Sequence, residues 1–198
     1  MAQPVPEGFF GARFSLYPLT DRSVPVILGA IEGLAASGLE VETDDVSTCL
    51  VGDRDEVFGA LLESFGKAAR TGEHVVMTVL LSHGCPGEER CAVPFHGPLP
   101  PKPAGVRAAR TGVEVACQWS LYPLGDPDYM DRIDDAIAQG KSDGVHATGR
   151  HFVSHLRGDL ADVLRSVRTS FDETCARVGH VTAHLTIAAN SPTRRSAP

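Results

Sequence analysis

The sequence predicts an α+β protein with antiparallel sheets, built from one unit used twice. Two observations carry that reading: a five-residue string recurs unchanged, and the apolar patterns follow one order in both halves. Ser15-Leu16-Tyr17-Pro18-Leu19 returns as Ser120-Leu121-Tyr122-Pro123-Leu124, and Asp21 and Asp126 follow at the same distance. Gly38 then matches Gly144, Gly52-Asp53 matches Gly158-Asp159, Phe65 matches Phe171, and His74-Val75 matches His180-Val181. The offset is 105 residues at the first string and 106 afterwards, which places a one-residue slip within the first helix. Register kept over so long a stretch marks an internal duplication, and a duplication constrains the fold before any other feature does.

Each element of the unit has its own signal. Phe14 and Leu16 alternate with Arg13, Ser15 and Tyr17, as Trp119 and Leu121 do with Gln118, Ser120 and Tyr122. Alternation of period two is a strand with one buried face, and the proline closing each string ends it. Val24, Ile27, Leu28, Ile31, Leu34 and Ala35 follow helical spacing, with Pro25 in the first turn and Gly38 at the stop. Strands are expected over 39–43 and 46–51, reversed at Asp44-Asp45. Asp53 stands as a helix N-cap with Glu56 three residues on, as Asp159 does with Asp162. Val57, Leu61, Leu62 and Phe65 form the next apolar stripe, and 74–82 reads as the last strand.

The order β-α-β-β-α-β is the ferredoxin-like unit, in which two helices cover one sheet face and leave the other open. Phe14, Leu16, Trp119 and Leu121 are expected to face the helices. Arg13, Ser15, Tyr17, Gln118, Ser120, Tyr122, Thr182, His184 and Thr186 are expected on the open face, where sheet-on-sheet packing is the plain alternative to a binding surface. The expected limits are 10–82 for the first repeat, 83–112 for a linker dense in proline and glycine, 113–190 for the second repeat and 191–198 for a flexible tail.

Composition removes several function classes. With 25 acidic and 18 basic residues the net charge is -7, the wrong balance for gripping nucleic-acid phosphates. No apolar run reaches the roughly 20 residues of a membrane span, and the N-terminus lacks the pattern of a secretory leader, so a cytoplasmic location is expected. Five cysteines at scattered spacings read as free thiols. Small sheet units leave edges and an open face to cover, which favours a dimer.

Rival chemistries are weaker. Nucleophilic catalysis would use Cys85 with His83 or Ser154 with His155, yet strand neighbours point to opposite faces and no G-x-S-x-G elbow is present. His83, Cys85, Cys91 and His96 could bind zinc, but their spacing matches no finger, and loop cysteines with surface histidines are the simpler reading. Neither glycine-rich phosphate loop occurs, so a diphosphate ligand is expected to bind less well than its unphosphorylated parent. His146, His151, His155 and His184 crowd the second half, where the first has Glu40, Asp45, Cys49 and Thr78.

The strings FSLYPLTD at 14–21, DDVSTCLVGD at 44–53, SHGCPG at 82–87, CQWSLYPLGDPDYM at 117–130, GVHATG at 144–149 and ANSPTR at 189–194 closely resemble the YkoF-type family of thiamine/hydroxymethylpyrimidine-binding proteins. The resemblance spans about residues 10 to 194. It implies two tandem ferredoxin-like, ACT-like repeats and a homodimer. It also implies binding of thiamine or its hydroxymethylpyrimidine precursor and an association with vitamin-precursor uptake, with transporter components as partners; because the nucleophile candidates are weak, the binding is expected to be reversible and without catalysis. No further cofactor is implied. A flat aminopyrimidine needs apolar or aromatic walls with a few directed polar groups, and a cationic thiazolium favours aromatic faces or carboxylates. The candidate ligand residues are Ser15, Tyr17, Ser47, Thr48, Cys49 and Gly52 in the first repeat. In the second they are Ser120, Tyr122, Ser154, His155, Gly158 and His184. An ACT-like regulatory module sensing another small metabolite, such as an amino acid, is the alternative.

Overall fold

The structure is a computed structural model that describes residues 10–84 and 109–193. Most of the expected linker, with Cys85, Cys91 and His96, and the last five residues of the tail lie outside the described residues. The first repeat runs β1 (Phe10–Pro18), α1 (Ser23–Ile31), β2 (Glu40–Thr43), β3 (Thr48–Val51), α2 (Arg54–Ala69) and β4 (Val75–His83). The second runs β5 (Glu114–Pro123), α3 (Tyr129–Ser142), β6 (His146–Arg150), β7 (Val153–Asp159), α4 (Leu160–Cys175) and β8 (Val181–Ala189). Each repeat therefore has the expected ferredoxin-like order of elements.

The two sheets are not separate. All eight strands form one sheet in the order β2-β3-β1-β4-β8-β5-β7-β6, because β4 pairs antiparallel with β8 along its whole length, from Val75↔Ala189 to His83↔Val181. The pair Val79↔Leu185 joins residues at equivalent positions in the two repeats, and its flanking pairs Thr78↔Thr186 and Leu80↔His184 exchange under the same equivalence. A local two-fold therefore passes through Val79 and Leu185.

Alternation works as the pattern requires. Phe14, Leu16, Trp119 and Leu121 are buried on the helix side, while Arg13, Tyr17, Gln118 and Tyr122 are exposed on the other. The matched Phe65 and Phe171 are fully buried between helix and sheet. The first helix departs from the expectation. Val26 and Ala30 are its buried residues, Ile27 and Ile31 pack partly against the core, and Val24 and Leu28 are exposed. The helix also ends at Ile31, and a separate 3₁₀ turn covers Leu34–Ala36. Buried Ala30 and Ala136 already stand at the 106-residue offset, as do the helix starts Ser23 and Tyr129, so the slip lies ahead of the helix rather than within it.

The helix layers of the two repeats meet at α2 and α4. Phe10 stacks on Phe58 of α2, with ring centroids 5.8 Å apart, and lies edge-on to Phe171 of α4 at 5.9 Å. The guanidinium of buried Arg54 sits 5.0 Å over the Phe10 ring and donates to Asp172 of α4, while Arg168 of α4 pairs with Asp55 of α2. Burial pushes the Asp172 carboxyl above its ordinary value, against the pull of Arg54 and Arg168. Removing Asp172 would leave the buried Arg54 guanidinium without its carboxylate, so the pair fixes how α2 and α4 meet.

Matching caps start the long helices. Asp53 accepts from Asp55 N at 2.8 Å and Glu56 N at 3.4 Å, and Asp159 accepts from Ala161 N at 3.0 Å. Asp159 also accepts from Thr111 N at 3.0 Å and Gly112 N at 2.8 Å, tying down the chain that enters β5. Burial works to raise this carboxyl, but the amides of Thr111, Ala161 and Gly112 outweigh it and hold the group below the ordinary 3.8. A lowered folded-state value means that the stability it contributes is complete above the ordinary carboxylate range and lost as pH falls through the lowered value. Denaturant unfolding followed from pH 6 to about pH 2 should show wild-type stability falling below about pH 4 more steeply than that of Asp159→Asn. Parallel acid profiles would show that this carboxylate is not an acid-labile anchor.

Candidate functional site

Unequal strand lengths create the site. β5 pairs with β8 up to Pro123↔Val181, but with β7 only up to Trp119↔Ser154. Residues 120–123 therefore have a strand on one side and, among the described residues, none on the other. β1 repeats this: β4 accompanies it to Pro18↔Val75, while β3 leaves at Phe14↔Thr48. In each repeat the hairpin turn before β3 or β7 hangs beside the unpaired stretch. A serine pins it there: Ser15 Oγ donates to Val46 O at 2.7 Å, and Ser120 Oγ donates to Phe152 O at 3.3 Å.

In the second repeat the gap opens into a cavity of about 540 Å³ bounded by β5, α3 and the β6–β7 turn. Trp119, Leu121, Tyr122, Tyr129, Met130 and Phe152 give it apolar and aromatic walls. Ser120, Ser154, Asp134 and Arg150 are its polar side chains. The indole Nε1 of Trp119, buried in the wall, has no hydrogen-bond partner among the described residues. Size and lining suit a flat, weakly polar ring, and Asp134 adds a carboxylate for a cationic one.

The exposed large apolar residues mark the same place in both repeats. In the second they are Tyr122, Leu124, Tyr129, Met130 and Phe152. In the first they are Tyr17, Leu19, Val24, Leu28 and Val46, with Leu80 of β4 exposed separately on the open face. Val46 and Phe152 occupy the same turn position, as Val24 and Met130 occupy the same helix position, and Leu28 stands where α3 has Asp134.

The sequence candidates divide around this geometry. Ser120, Tyr122 and Ser154 line the cavity; Ser120 also fixes the turn. Ser15 plays that fixing role in the first repeat, and Tyr17 is 47% exposed beside it. Ser47 accepts from Arg13 Nη1 at 2.8 Å. Arg13 also pairs with Asp44, which accepts from Val46 N and Ser47 N, so Asp44 is the turn residue expected of it. Those two amides, with Arg13, hold the Asp44 carboxyl below its ordinary value. Thr48 and Ser154 pair with Phe14 and Trp119 and are buried on the helix side, not the open face. Thr48 Oγ1 shares a hydrogen bond with Thr43 Oγ1 at 3.0 Å.

Cys49, His155 and His184 lie on the open face, paired with Arg13, Gln118 and Ser120, and do not line the cavity. Burial raises the Cys49 thiol above its ordinary value. Ser154 and His155 point to opposite faces, so the only described serine–histidine neighbours considered for catalysis do not meet. Gly52 and Gly158 also lie away from the cavity. At Gly52 a Cβ would stand 2.6 Å from Leu39 Cδ2, so this glycine admits Leu39. Of the zinc candidates, His83 is buried against Arg54 and the other three lie outside the described residues. Among the described residues no group of three potential ligands could hold a metal, and no helix is long and apolar enough to cross a membrane.

Sequence reasoning missed Phe152, Met130, Asp134 and Arg150. Its one usable signal was an apolar residue at the hairpin turn in both repeats, where Val46 and Phe152 contradict turn chemistry. Phe152 is 99% exposed and has φ 67°, left-handed backbone that costs a bulky residue about 1–2 kcal/mol. Phe152→Gly should therefore leave stability within about 1 kcal/mol of wild type or raise it slightly, measured by denaturant unfolding. A loss above about 2 kcal/mol would mean that the ring packs in the free protein.

Comparison with known proteins follows the same repeats. The model of the YKOF-related family matches residues 9–88 and 114–194. A protein of Bacillus subtilis (strain 168) named "putative HMP/thiamine-binding protein YkoF" is 35% identical over 187 residues, 94% of this chain and 92% of that one. Among solved structures, hypothetical protein MJ1052 of Methanocaldococcus jannascii is 21% identical, covers 43% of this chain and 84% of its own, and has a TM-score of 0.36. A domain of unknown function from Bacillus cereus is 22% identical, covers 37% and 74%, and has a TM-score of 0.34.

Proposed function

The chain belongs to the YKOF-related family, and from that premise we propose that it binds thiamine or hydroxymethylpyrimidine reversibly, without chemistry, in the cavity between β5, α3 and the β6–β7 turn and at the equivalent place in the first repeat. The observation that carries the reading is the cavity of about 540 Å³ with aromatic walls, an unpaired strand edge and one carboxylate. An aminopyrimidine carries donors and acceptors on its rim and two apolar faces. The strand edge and the serines serve the rim, while Tyr122, Phe152 and Met130 serve the faces. Asp134 would sit near a thiazolium. In the first repeat Leu28 replaces Asp134 and Val46 replaces Phe152, so that site should bind the cationic vitamin more weakly. The relative's printed name supports the ligand class. A role in uptake or salvage of the vitamin, with transporter components as partners and a cytoplasmic location, extends the same reading.

Isothermal calorimetry of the full chain with thiamine and with hydroxymethylpyrimidine should give saturable heat with at least one of them. Phe152→Gly should weaken binding about threefold to tenfold, the loss of one aromatic contact. No heat with either ligand ends the proposal. A response to an amino-acid panel in its place would favour the regulatory alternative. Thiamine recovered intact after incubation is expected, and cleaved thiamine would overturn binding without chemistry.

We also read the chain as a homodimer that self-associates over the middle of the open face. There Leu80, 46% exposed, shares the open face of β4 with Val76, one same-face position beyond Thr78, and Ala188 lies across the β4–β8 ladder from Val76. Sedimentation should give twice the chain mass for wild type and the single mass for Leu80→Lys. A monomeric wild type at micromolar concentration would refute the dimer.

A further inference from the structure

On the open side of the second repeat a groove of about 480 Å³ is lined by Gln118, Arg150, His151, Val153, His155 and Arg157. It shares Arg150 and Val153 with the ring cavity, so the two spaces adjoin. We propose that this groove is an anion subsite continuous with the cavity, and that the second repeat takes a phosphorylated form of the flat ring.

Strand register builds the groove. β7 places Val153, His155 and Arg157 on one face, paired with Arg150, Thr148 and His146 of β6, while Gln118 of β5 lies beside His155. Two guanidinium groups and two imidazoles thus surround one space, and no lining residue is acidic. Among the described residues neither Arg150 nor Arg157 forms an ion pair with a carboxylate, whereas Arg132, Arg165 and Arg168 all do. A planar guanidinium recognises phosphate oxygens in pairs, and imidazole and amide N–H groups can complete the shell. The whole chain carries a net charge of -7, so its long-range field repels anions and the attraction here is local.

The first repeat is built differently at the same places. Asp44, Asp45, Cys49 and Val51 stand where the second has Arg150, His151, His155 and Arg157. There Arg13 is held by Asp44 and Ser47. Phosphate selectivity therefore belongs to the second repeat alone. Without a glycine-rich loop the sequence predicts weak diphosphate binding; side chains on paired strands do here what backbone amides do in such loops.

The inference rests on the ring reading proposed above, and the test separates the two. Calorimetry of the full chain would compare hydroxymethylpyrimidine with its phosphate ester, thiamine with thiamine monophosphate, and inorganic phosphate alone. The esters should bind at least tenfold tighter than their parents, and the gain should shrink as salt rises. Arg157→Gln should abolish the gain and leave parent binding within twofold, since Arg157 lies outside the ring cavity; circular dichroism would confirm its fold. Esters binding no tighter than parents that do bind would overturn the subsite and leave the ring site standing. No binding of parents or esters would overturn both. Inorganic phosphate binding as tightly as the esters would refute continuity with the cavity, and a gain that survives Arg157→Gln would refute the assignment.

Discussion

The pairing of β4 with β8 is the constraint on which the molecule depends. Each ferredoxin-like repeat alone would expose the outer edge of its last strand, with a full row of unpaired N–H and C=O groups. Here the two exposed edges satisfy one another along nine residue pairs, and the local two-fold at Val79 and Leu185 follows from joining like edges. The same ladder puts α2 beside α4, which is why Arg54 can reach Asp172 and Phe10 can touch both Phe58 and Phe171. The repeats consequently share one continuous sheet, and the short strands β2 and β6 are left as its outer edges.

Joining the repeats at that edge also sets where ligands can go. β1 and β5 have a full-length neighbour on the inner side and a short one on the outer side, so the unpaired stretch falls outward in each repeat. A gap beside a strand would normally close by collapse of the turn. The turn is instead held at a fixed distance by Ser15 or Ser120, and in the second repeat by left-handed backbone at Phe152. A fully exposed aromatic ring in strained backbone is stable only because the surrounding hairpin determines it, and such strain concentrates where a protein meets a ligand.

The sequence displayed what is local. Alternation placed Phe14, Leu16, Trp119 and Leu121 inside, and the Asp53 and Asp159 caps were readable because a cap is a contact of two or three residues. The turn at Asp44 was legible for the same reason. What depends on a third element was not. Helical spacing gave α1 several apolar residues but not which of them face the sheet, and Val24 and Leu28 face outward where α1 borders the gap. Ser15 and Ser120 were singled out as ligand hydroxyls, yet their first partner is a carbonyl more than thirty residues away. Thr48 and Ser154 were chosen as ligand residues by their polar side chains and their place beside the first strand, yet they pair with Phe14 and Trp119 and so share the helix-facing side, which only the cross-strand register decides. The fused sheet was invisible for a related reason: edge pairing between repeats leaves no period in either one.

Duplication explains how one backbone can carry two differently charged rims. The turn, the serine anchor, the buried core and the helix caps are common to both repeats, so changes at the rim do not disturb the fold. Val46 and Phe152, Leu28 and Asp134, Asp44 and Arg150, and Val51 and Arg157 are such rim pairs, and each exchanges size or charge. In the first repeat the turn carboxylate Asp44 neutralises Arg13 and the rim is closed by its own ion pair. In the second, arginine replaces that carboxylate and glutamine replaces Arg13, so the positive charge at the turn is not matched by a carboxylate among the described residues. Two exchanges, Asp44 for Arg150 and Arg13 for Gln118, thus separate an internally paired rim from one without that ion pair, and both fall on exposed positions where most substitutions cost little stability.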